Sequence, residues 1–164
     1  MASTLKNLSD FESGQFTFAP HVQIGIVVSE WNREVTDALL KGALDTLTKH
    51  GVSPDNIWVE YVPGTYELPL AAQGFAENED IDAVICIGCV IQGETPHFDF
   101  ICDAAAHGIM RVGLDYKLPV VFGVLTTLTQ EQALDRAGGK HGNKGDEAAI
   151  TALKMIQFQD NVEE

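Results

Sequence analysis

Four short segments of this 164-residue chain carry side chains that could bind a ligand or move a proton. In sequence they read Ser-Glu-Trp-Asn at 29–32, Pro-Gly-Thr-Tyr-Glu at 63–67, Gln-Gly-Glu-Thr-Pro-His at 92–97 and Thr-Thr at 126–127. Each follows an apolar run typical of a buried strand. Because ligands of open parallel sheets bind outside the carboxyl ends of the strands, we expect these segments to meet at one edge. Turn and cap preferences explain the Gly, Asn and Thr residues, but not the joint presence of Trp31, Glu67 and His97.

Segment 93–97 combines features of an anion site and of a proton carrier. Thr95 is expected to be the N-cap of a helix and Pro96 its first residue, so that the next backbone N–H groups are free for an anion that Gly93 allows to approach closely. In this first turn the helix dipole favours neutral His97, whereas a bound phosphate favours the protonated ring. The imidazole could therefore transfer a proton near neutral pH. From position alone, a surface histidine without a catalytic role is an equally good interpretation.

A second basic segment, 136–145, reads Arg-Ala-Gly-Gly-Lys-His-Gly-Asn-Lys-Gly and holds three of the ten basic residues. It does not match a Walker A loop, and no Gly-x-Gly-x-x-Gly follows the first strand. A helix C-cap followed by a mobile loop explains its glycines. Arg136 could also bind a phosphate through charged hydrogen bonds, which contribute about 1.5–3 kcal/mol each.

The cysteines and the other histidines predict neither a metal site nor a nucleophile. Cys86 and Cys89 are three apart within a predicted strand, so their side chains face opposite sides and cannot share a metal ion. Small buried residues are the better interpretation of both. The remaining histidines show no ligand spacing, and no Gly-x-Ser-x-Gly elbow is present.

Alternating strand and helix patterns must position these side chains. Apolar runs predict strands at 22–28, 58–62, 81–91 and 119–125, with 81–91 at the centre of the sheet. Helices are predicted at 32–51, capped by Asn32 and ended by Gly51, and then at 68–77, 96–114, 129–138 and from 143 onward. Four strand-then-helix units in succession imply an α/β fold with a right-handed, doubly wound parallel sheet.

Finer details of these elements are also predicted. A capping box at 129–132 should open the fourth helix. One face of the third helix is expected to carry Phe100, Ala104, Ala105 and Ile109. The side chains that the last helix is expected to bury are Ala149, Leu153 and Ile156. The whole chain, 1–164, is expected to form one domain with an N-terminal arm at 1–20 and a core at 21–164. Within the arm, the alternation of Phe16 and Phe18 predicts a strand that pairs with a sheet edge of this chain or of a neighbour.

Composition narrows the function classes. Twenty-four acidic and ten basic side chains give a net charge of −14, which disfavours nucleic acid as a partner. Three cysteines give no disulfide framework and suit a reducing compartment. The first 14 residues lack the apolar stretch of a signal peptide, and no apolar run approaches the length needed to cross a bilayer. We therefore expect a soluble cytoplasmic protein.

Five segments, in one register and order, closely resemble the 6,7-dimethyl-8-ribityllumazine synthase family. They are Trp31-Asn32, Pro63-Gly-Thr-Tyr-Glu67, Gly88-Cys-Val-Ile-Gln-Gly-Glu-Thr-Pro-His97, Phe122-Gly-Val-Leu-Thr-Thr127 and Arg136-Ala-Gly-Gly-Lys-His-Gly-Asn-Lys-Gly145. The resemblance implies a flavodoxin-like three-layer sandwich with a mainly parallel four-stranded sheet. It also implies a transferase that condenses 5-amino-6-(D-ribitylamino)uracil with 3,4-dihydroxy-2-butanone 4-phosphate, the penultimate step of riboflavin biosynthesis, without a cofactor or metal.

The resemblance assigns a role to each matching position. His97 matches the proton donor. Trp31 takes the place of the aromatic residue that stacks on the pyrimidine, where Phe is commoner. The remaining matches are Thr65, Tyr66 and Glu67 for the ribityl chain and ring, Cys89, Val90 and Ile91 for the pyrimidine, and Glu94 and Thr95 for the phosphate ketone. Phe122 and Arg136, assisted by Lys144, match ring-covering and phosphate-binding positions that the family takes from an adjacent subunit.

The same resemblance implies an assembly. A pentamer is expected, and the compact turn at 138–145 resembles members in which twelve pentamers close into an icosahedral shell, with riboflavin synthase as a cargo. The strand at 16–18 would then be added to a neighbour's sheet. Three alternatives stay open: a flavin- or lumazine-binding protein without turnover, a shell with a vestigial pocket, and a flavodoxin-like electron carrier. The last would need a phosphate loop where the chain has Ser29-Glu-Trp-Asn32.

Overall fold

A parallel four-stranded sheet is the centre of the fold. The computed structural model describes residues 16–78 and 80–163. The strands are β1 (Ile24–Ser29), β2 (Ile57–Val62), β3 (Ala83–Ile91) and β4 (Val120–Thr127). They lie in the order β2-β1-β3-β4, and each neighbouring pair is parallel. This confirms the predicted α/β fold, and each strand lies within two residues of its predicted ends.

Helices cover both faces of the sheet. They are α1 (Arg33–Lys49), α2 (Leu68–Ala76), α3 (His97–Tyr116), the short α4 (Gln130–Leu134) and α5 (Lys144–Glu163). α1 packs with α5 on one face and α2 with α3 on the other, each above its own apolar cluster. Ala149, Leu153 and Ile156 are buried as predicted. Because helices cover both faces of the sheet, every residue of β1 is buried, and its sequence is accordingly almost continuously apolar.

The two helix starts nearest the predicted site differ from expectation. Asn32 does precede α1, but its backbone is left-handed (φ 59°) and its side chain caps no helix N–H group. Pro96, not Thr95, occupies the N-cap position of α3, and His97 is the first helical residue. The ψ angle of Pro96 is 5°, away from the helical value of about −42°. The helix therefore begins at His97, one residue later than the sequence predicted.

The outer face of α3 carries exposed apolar side chains among charged ones. Ala105 and Ile109 are buried, whereas Phe100, which was expected on the same helix face, is 70% exposed. Met110 and Leu114 are exposed as well. The apolar residues of α3 therefore lie on two sides of the helix, and the chain's own sheet covers only one of them.

The segment after β4 is more ordered than predicted. Thr129 Oγ1 accepts the Gln132 N–H at 3.2 Å, as in the predicted capping box, but the Gln132 side chain accepts the N–H of Leu128 at 3.0 Å. α4 ends at Leu134, and a small antiparallel hairpin of β5 (Ala137–Gly139) and β6 (Gly142–Asn143) replaces the predicted mobile loop. Positive φ angles at Gly138 and Gly142 permit its turns.

The chain enters the fold through a turn and a 3₁₀ helix, Ala19–His21. Phe16 and Phe18 do not form the predicted strand, because Phe16 is buried in this chain's own core (4% exposed) with its ring edge against His50. The part of the predicted arm at 1–15 lies outside the described residues. Within residues 16–78 and 80–163, no helix combines the length and apolarity of a membrane span.

Candidate active site

A cavity of about 750 Å³ opens at the carboxyl ends of β1 and β3, beside the 3₁₀ turn that follows β2. Most of the predicted site residues meet there, since its walls are formed by Trp31, Asn32, Gly64, Thr65, Tyr66, Glu67, Cys89, Val90, Ile91, His97 and Ile101. The parallel register explains this convergence, because the loops after aligned strands leave the sheet at the same edge.

One wall of this cavity combines an aromatic ring with a carboxylate. Trp31 is 73% exposed, although its backbone N–H is held by the Pro63 carbonyl at 3.3 Å. A Cβ built on Gly64 would lie 3.0 Å from Glu67 Oε2 and 3.4 Å from Trp31 Cδ1, so both side chains rest against this glycine. The wall thus offers a flat surface for stacking beside a hydrogen-bond acceptor.

The end of β3 forms the floor. Cys89 is only 2% exposed, and burial raises the pKa of its thiol to about 11. Burial likewise raises the pKa of Cys86 to about 12, and the two thiols lie in apolar clusters on opposite faces of the sheet, as predicted. Both cysteines are therefore protonated thiols at neutral pH, so Cys89 is a lining group and Cys86 a core residue, and neither is a nucleophile.

His97 borders the cavity from the first position of α3 and is exposed to solvent. Glu94 and Thr95 precede it in the exposed loop between β3 and α3, beside the cavity but outside its lining residues. A Cβ at Gly93 would contact no atom within 4 Å, so this loop leaves open space at Gly93.

Phe122 and Arg136 line a different cavity, of about 880 Å³, between the outer edge strand β4 and helix α5. Lys144 lines it too, paired with Glu147. The Arg136 guanidinium donates from Nη1 to the Gln132 carbonyl at 2.9 Å, and the Arg136 carbonyl accepts the Lys144 N–H at 2.9 Å. Within one chain, the structure does not bring these cations to the cavity that His97 borders.

Sequence reasoning missed three residues of the first cavity as lining groups, of which Gly64 was assigned only to a turn. Ile101 lies one helical turn after His97, a spacing of four that places both on one helix face. Asn32 was assigned to helix capping, but its Nδ2 donates to the Cys89 carbonyl at 2.8 Å. The helical period could have indicated Ile101, whereas the left-handed backbone of Asn32 has no clear sequence signal.

Comparison with known proteins identifies the family of this chain. Residues 21–160 match the family model for 6,7-dimethyl-8-ribityllumazine synthase. Proteins with that name are similar over nearly their whole length. The one from Cytophaga hutchinsonii is 59% identical over 95% of this chain and 98% of its own. The one from Porphyromonas gingivalis is 56% identical over 97% and 99%. The one from Parabacteroides distasonis is 51% identical over 96% and 99%. The chain belongs to the 6,7-dimethyl-8-ribityllumazine synthase family.

Proposed function

We propose that this chain is a transferase that condenses 5-amino-6-(D-ribitylamino)uracil with 3,4-dihydroxy-2-butanone 4-phosphate to 6,7-dimethyl-8-ribityllumazine, releasing phosphate and water. The observation that carries the proposal is the convergence of Trp31, Glu67 and His97 on one cavity, in a chain at least half identical to lumazine synthases.

The pyrimidine would stack on the Trp31 indole, above the end of β3. Such stacking adds about 0.5–1.5 kcal/mol beyond the burial of area. Thr65, Tyr66 and Glu67 follow each other in the 3₁₀ turn beside it. The two hydroxyls can donate hydrogen bonds to a polyol or accept them from it, and the carboxylate can accept them. Cys89, Val90 and Ile91 would border the ring.

The phosphate ketone would bind in the open space beside Gly93, next to Glu94 and Thr95. Arg136 and Lys144 of an adjacent subunit would supply positive charge there. This is supported by the position of both cations in a second cavity along the edge strand β4, away from His97 of the same chain.

The chemistry needs placement and proton transfer. The amine of the pyrimidine attacks the ketone carbonyl, water leaves to form an imine, phosphate is eliminated, and the ring closes with loss of a second water. Holding both reactants in one cavity lowers the barrier by roughly several kcal/mol. His97 would give and take the protons of these steps, a role typically worth about 10²- to 10⁴-fold in rate.

A pentamer is part of the proposal, and twelve pentamers in a closed shell extend it. Support comes from the large apolar side chains exposed on α3, β4 and α5, which are Phe100, Met110, Leu114, Phe122, Met155 and Phe158. Exposed apolar surface of this extent is typical of subunit interfaces. We also propose a cytoplasmic location, supported by three cysteines that are all free thiols.

Turnover tests the function directly. Purified protein is mixed with both substrates, and the lumazine absorbance is followed over time. We expect product from the parent protein, a rate about 10²- to 10⁴-fold lower for His97→Ala, and a higher KM for the phosphate ketone for Arg136→Ala.

Matched controls are His107→Ala, on the same helix but outside the cavity, and Arg111→Ala, whose guanidinium pairs with Asp115 on the surface. Both should retain the parental rate. An assembled parent protein that makes no product would contradict the proposal and leave a binding protein or an empty shell.

A further inference from the structure

Asn32 combines three features at one edge of the cavity. Its backbone is left-handed with φ 59°, one of two such non-glycine residues in the described ranges. Its Nδ2 donates to the Cys89 carbonyl at 2.8 Å, across 57 residues of sequence. It also directly follows Trp31, the most exposed aromatic residue among those described.

The hydrogen bond continues the sheet where the strands themselves stop pairing. The register of β1 with β3 ends at Val28 and Ile87, two residues before Cys89. The Asn32 side-chain amide replaces the backbone N–H group that a further residue of β1 would donate to β3. Its own carbonyl meanwhile accepts the N–H groups of Val35 and Thr36 and thereby begins α1.

Trp31 is consequently held between two strand ends. On one side, the Glu30 N–H donates to Val62 at 2.9 Å and the Trp31 N–H donates to Pro63 at 3.3 Å. On the other side, Asn32 fastens the turn to β3. Of these three hydrogen bonds, only the one from Asn32 has a side chain as its donor. A single substitution can therefore remove it while the two backbone bonds remain.

We propose that Asn32 is a positioning residue that fixes the Trp31 indole at the mouth of the cavity through its hydrogen bond to the Cys89 carbonyl. The inference rests on the proposed function in one respect, because the indole is taken to stack on the pyrimidine substrate. A left-handed backbone is strained for residues other than glycine, least so for asparagine, and such strain concentrates at functional sites. Here it aims the amide at β3 and the indole at the cavity.

Two substitutions separate the hydrogen bond from the backbone conformation. Asn32→Gly keeps the left-handed turn without strain but removes the donor. Asn32→Asp tolerates the same turn but places a carboxylate against the Cys89 carbonyl oxygen. If only the backbone conformation matters, both variants should bind the pyrimidine like the parent. If the hydrogen bond positions Trp31, pyrimidine binding should weaken for Asn32→Gly and weaken further for Asn32→Asp.

The experiment uses the Trp58→Phe protein as its parent, so that Trp31 is the sole tryptophan of the chain. Time-resolved fluorescence anisotropy reports the local motion of the indole without substrate, and steady-state kinetics reports KM for each substrate. We expect greater indole motion in both variants. We also expect KM for the pyrimidine to rise roughly three- to tenfold for Gly and further for Asp, with KM for the phosphate ketone unchanged.

Asn56→Ala is the matched control, because the Asn56 amide also donates to a backbone carbonyl, that of Pro20, far from the cavity. It should change neither readout. Parental anisotropy and parental KM in both Asn32 variants would overturn the inference while the proposed function stands. Absence of product from the parent would contradict the function, and the anisotropy would still decide whether Asn32 holds Trp31.

Discussion

At the scale of single residues, two nearby glycines are surrounded very differently. A Cβ at Gly93 would contact nothing within 4 Å, whereas a Cβ at Gly88 would lie 2.9 Å from Thr65 Oγ1 and 3.0 Å from Leu68 Cδ1. Gly88 is therefore required by packing beneath the cavity wall. Gly93 has no such role in the free protein, which leaves ligand approach as the reason for a glycine there.

This contrast makes a prediction. Gly93→Ala should change the free energy of unfolding by less than about 0.5 kcal/mol but raise KM for the phosphate ketone, because its methyl group takes space proposed for the phosphate. Gly88→Ala should lower the free energy of unfolding by about 1–3 kcal/mol, because Thr65 or Leu68 must move. Urea denaturation and steady-state kinetics measure both effects. A Gly93→Ala protein with unchanged kinetics would argue against a phosphate beside this loop.

At the scale of elements, the C-terminal end of α1 carries a buried histidine. His50 is 3% exposed, and Phe16 packs edge-on against its ring. Its Nδ1 has no hydrogen-bond partner among residues 16–78 and 80–163. Burial, assisted by the positive charge of Lys49, lowers the pKa of His50 below its usual value of 6.5. The folded protein consequently favours the neutral ring, while the unfolded chain binds the proton more readily.

The lowered pKa of His50 makes the stability of the protein depend on pH, which gives a second prediction. Below about pH 6.5 the unfolded chain takes up the proton first, so stability falls as the pH falls from the unfolded pKa through the lower folded one. His50→Gln should flatten this part of the curve, as measured by thermal denaturation between about pH 7 and pH 5. His21→Gln, whose ring is exposed at the end of the 3₁₀ helix Ala19–His21, is the control and should keep the parental profile. An unchanged slope in His50→Gln would contradict the assignment.

The same scale shows what the sequence can and cannot predict. Period and apolar run length predicted the four strands and the meeting of Trp31, Glu67 and His97, since both follow from local pattern and parallel topology. The β5–β6 hairpin was missed because distant contacts hold it, among them the Asn143 Nδ2 donating to Ala38 at 2.9 Å. The exposure of Phe100 and the burial of Phe16 were also missed. An apolar side chain does not reveal whether its own chain or another covers it.

At the scale of the whole molecule, the two cavities present different surfaces at different edges of the chain. The His97 cavity lies at the carboxyl ends of β1 and β3, and the Arg136 cavity lies along β4. Surfaces of this kind meet head to tail, as in a closed ring, rather than as identical patches. The proposed shared site therefore predicts a specific behaviour of mixed assemblies.

At a concentration of phosphate ketone well below the raised KM of Arg136→Ala, co-assembly of His97→Ala chains with Arg136→Ala chains should give a higher rate than either variant gives alone. An intact site forms wherever the first cavity of an Arg136→Ala chain meets the β4 edge of a His97→Ala chain, which happens at about a quarter of the contacts in an equal, random mixture. Mixing after denaturation and refolding, followed by the turnover assay, measures this. A site built within one chain would give no recovery, whatever the mixing ratio.

The proposed division of the site between two subunits also has a genetic consequence. A chain that carries both His97→Ala and Arg136→Ala inactivates two sites, its own and the one that it completes for its neighbour. If such a chain is produced in equal amounts with the wild-type chain, about a quarter of the sites stay intact. If each site lay within one chain, half of the sites would stay intact. Loss of function at this locus would then be partly dominant, and the dose of defective chain, rather than its mere presence, would set the remaining flux.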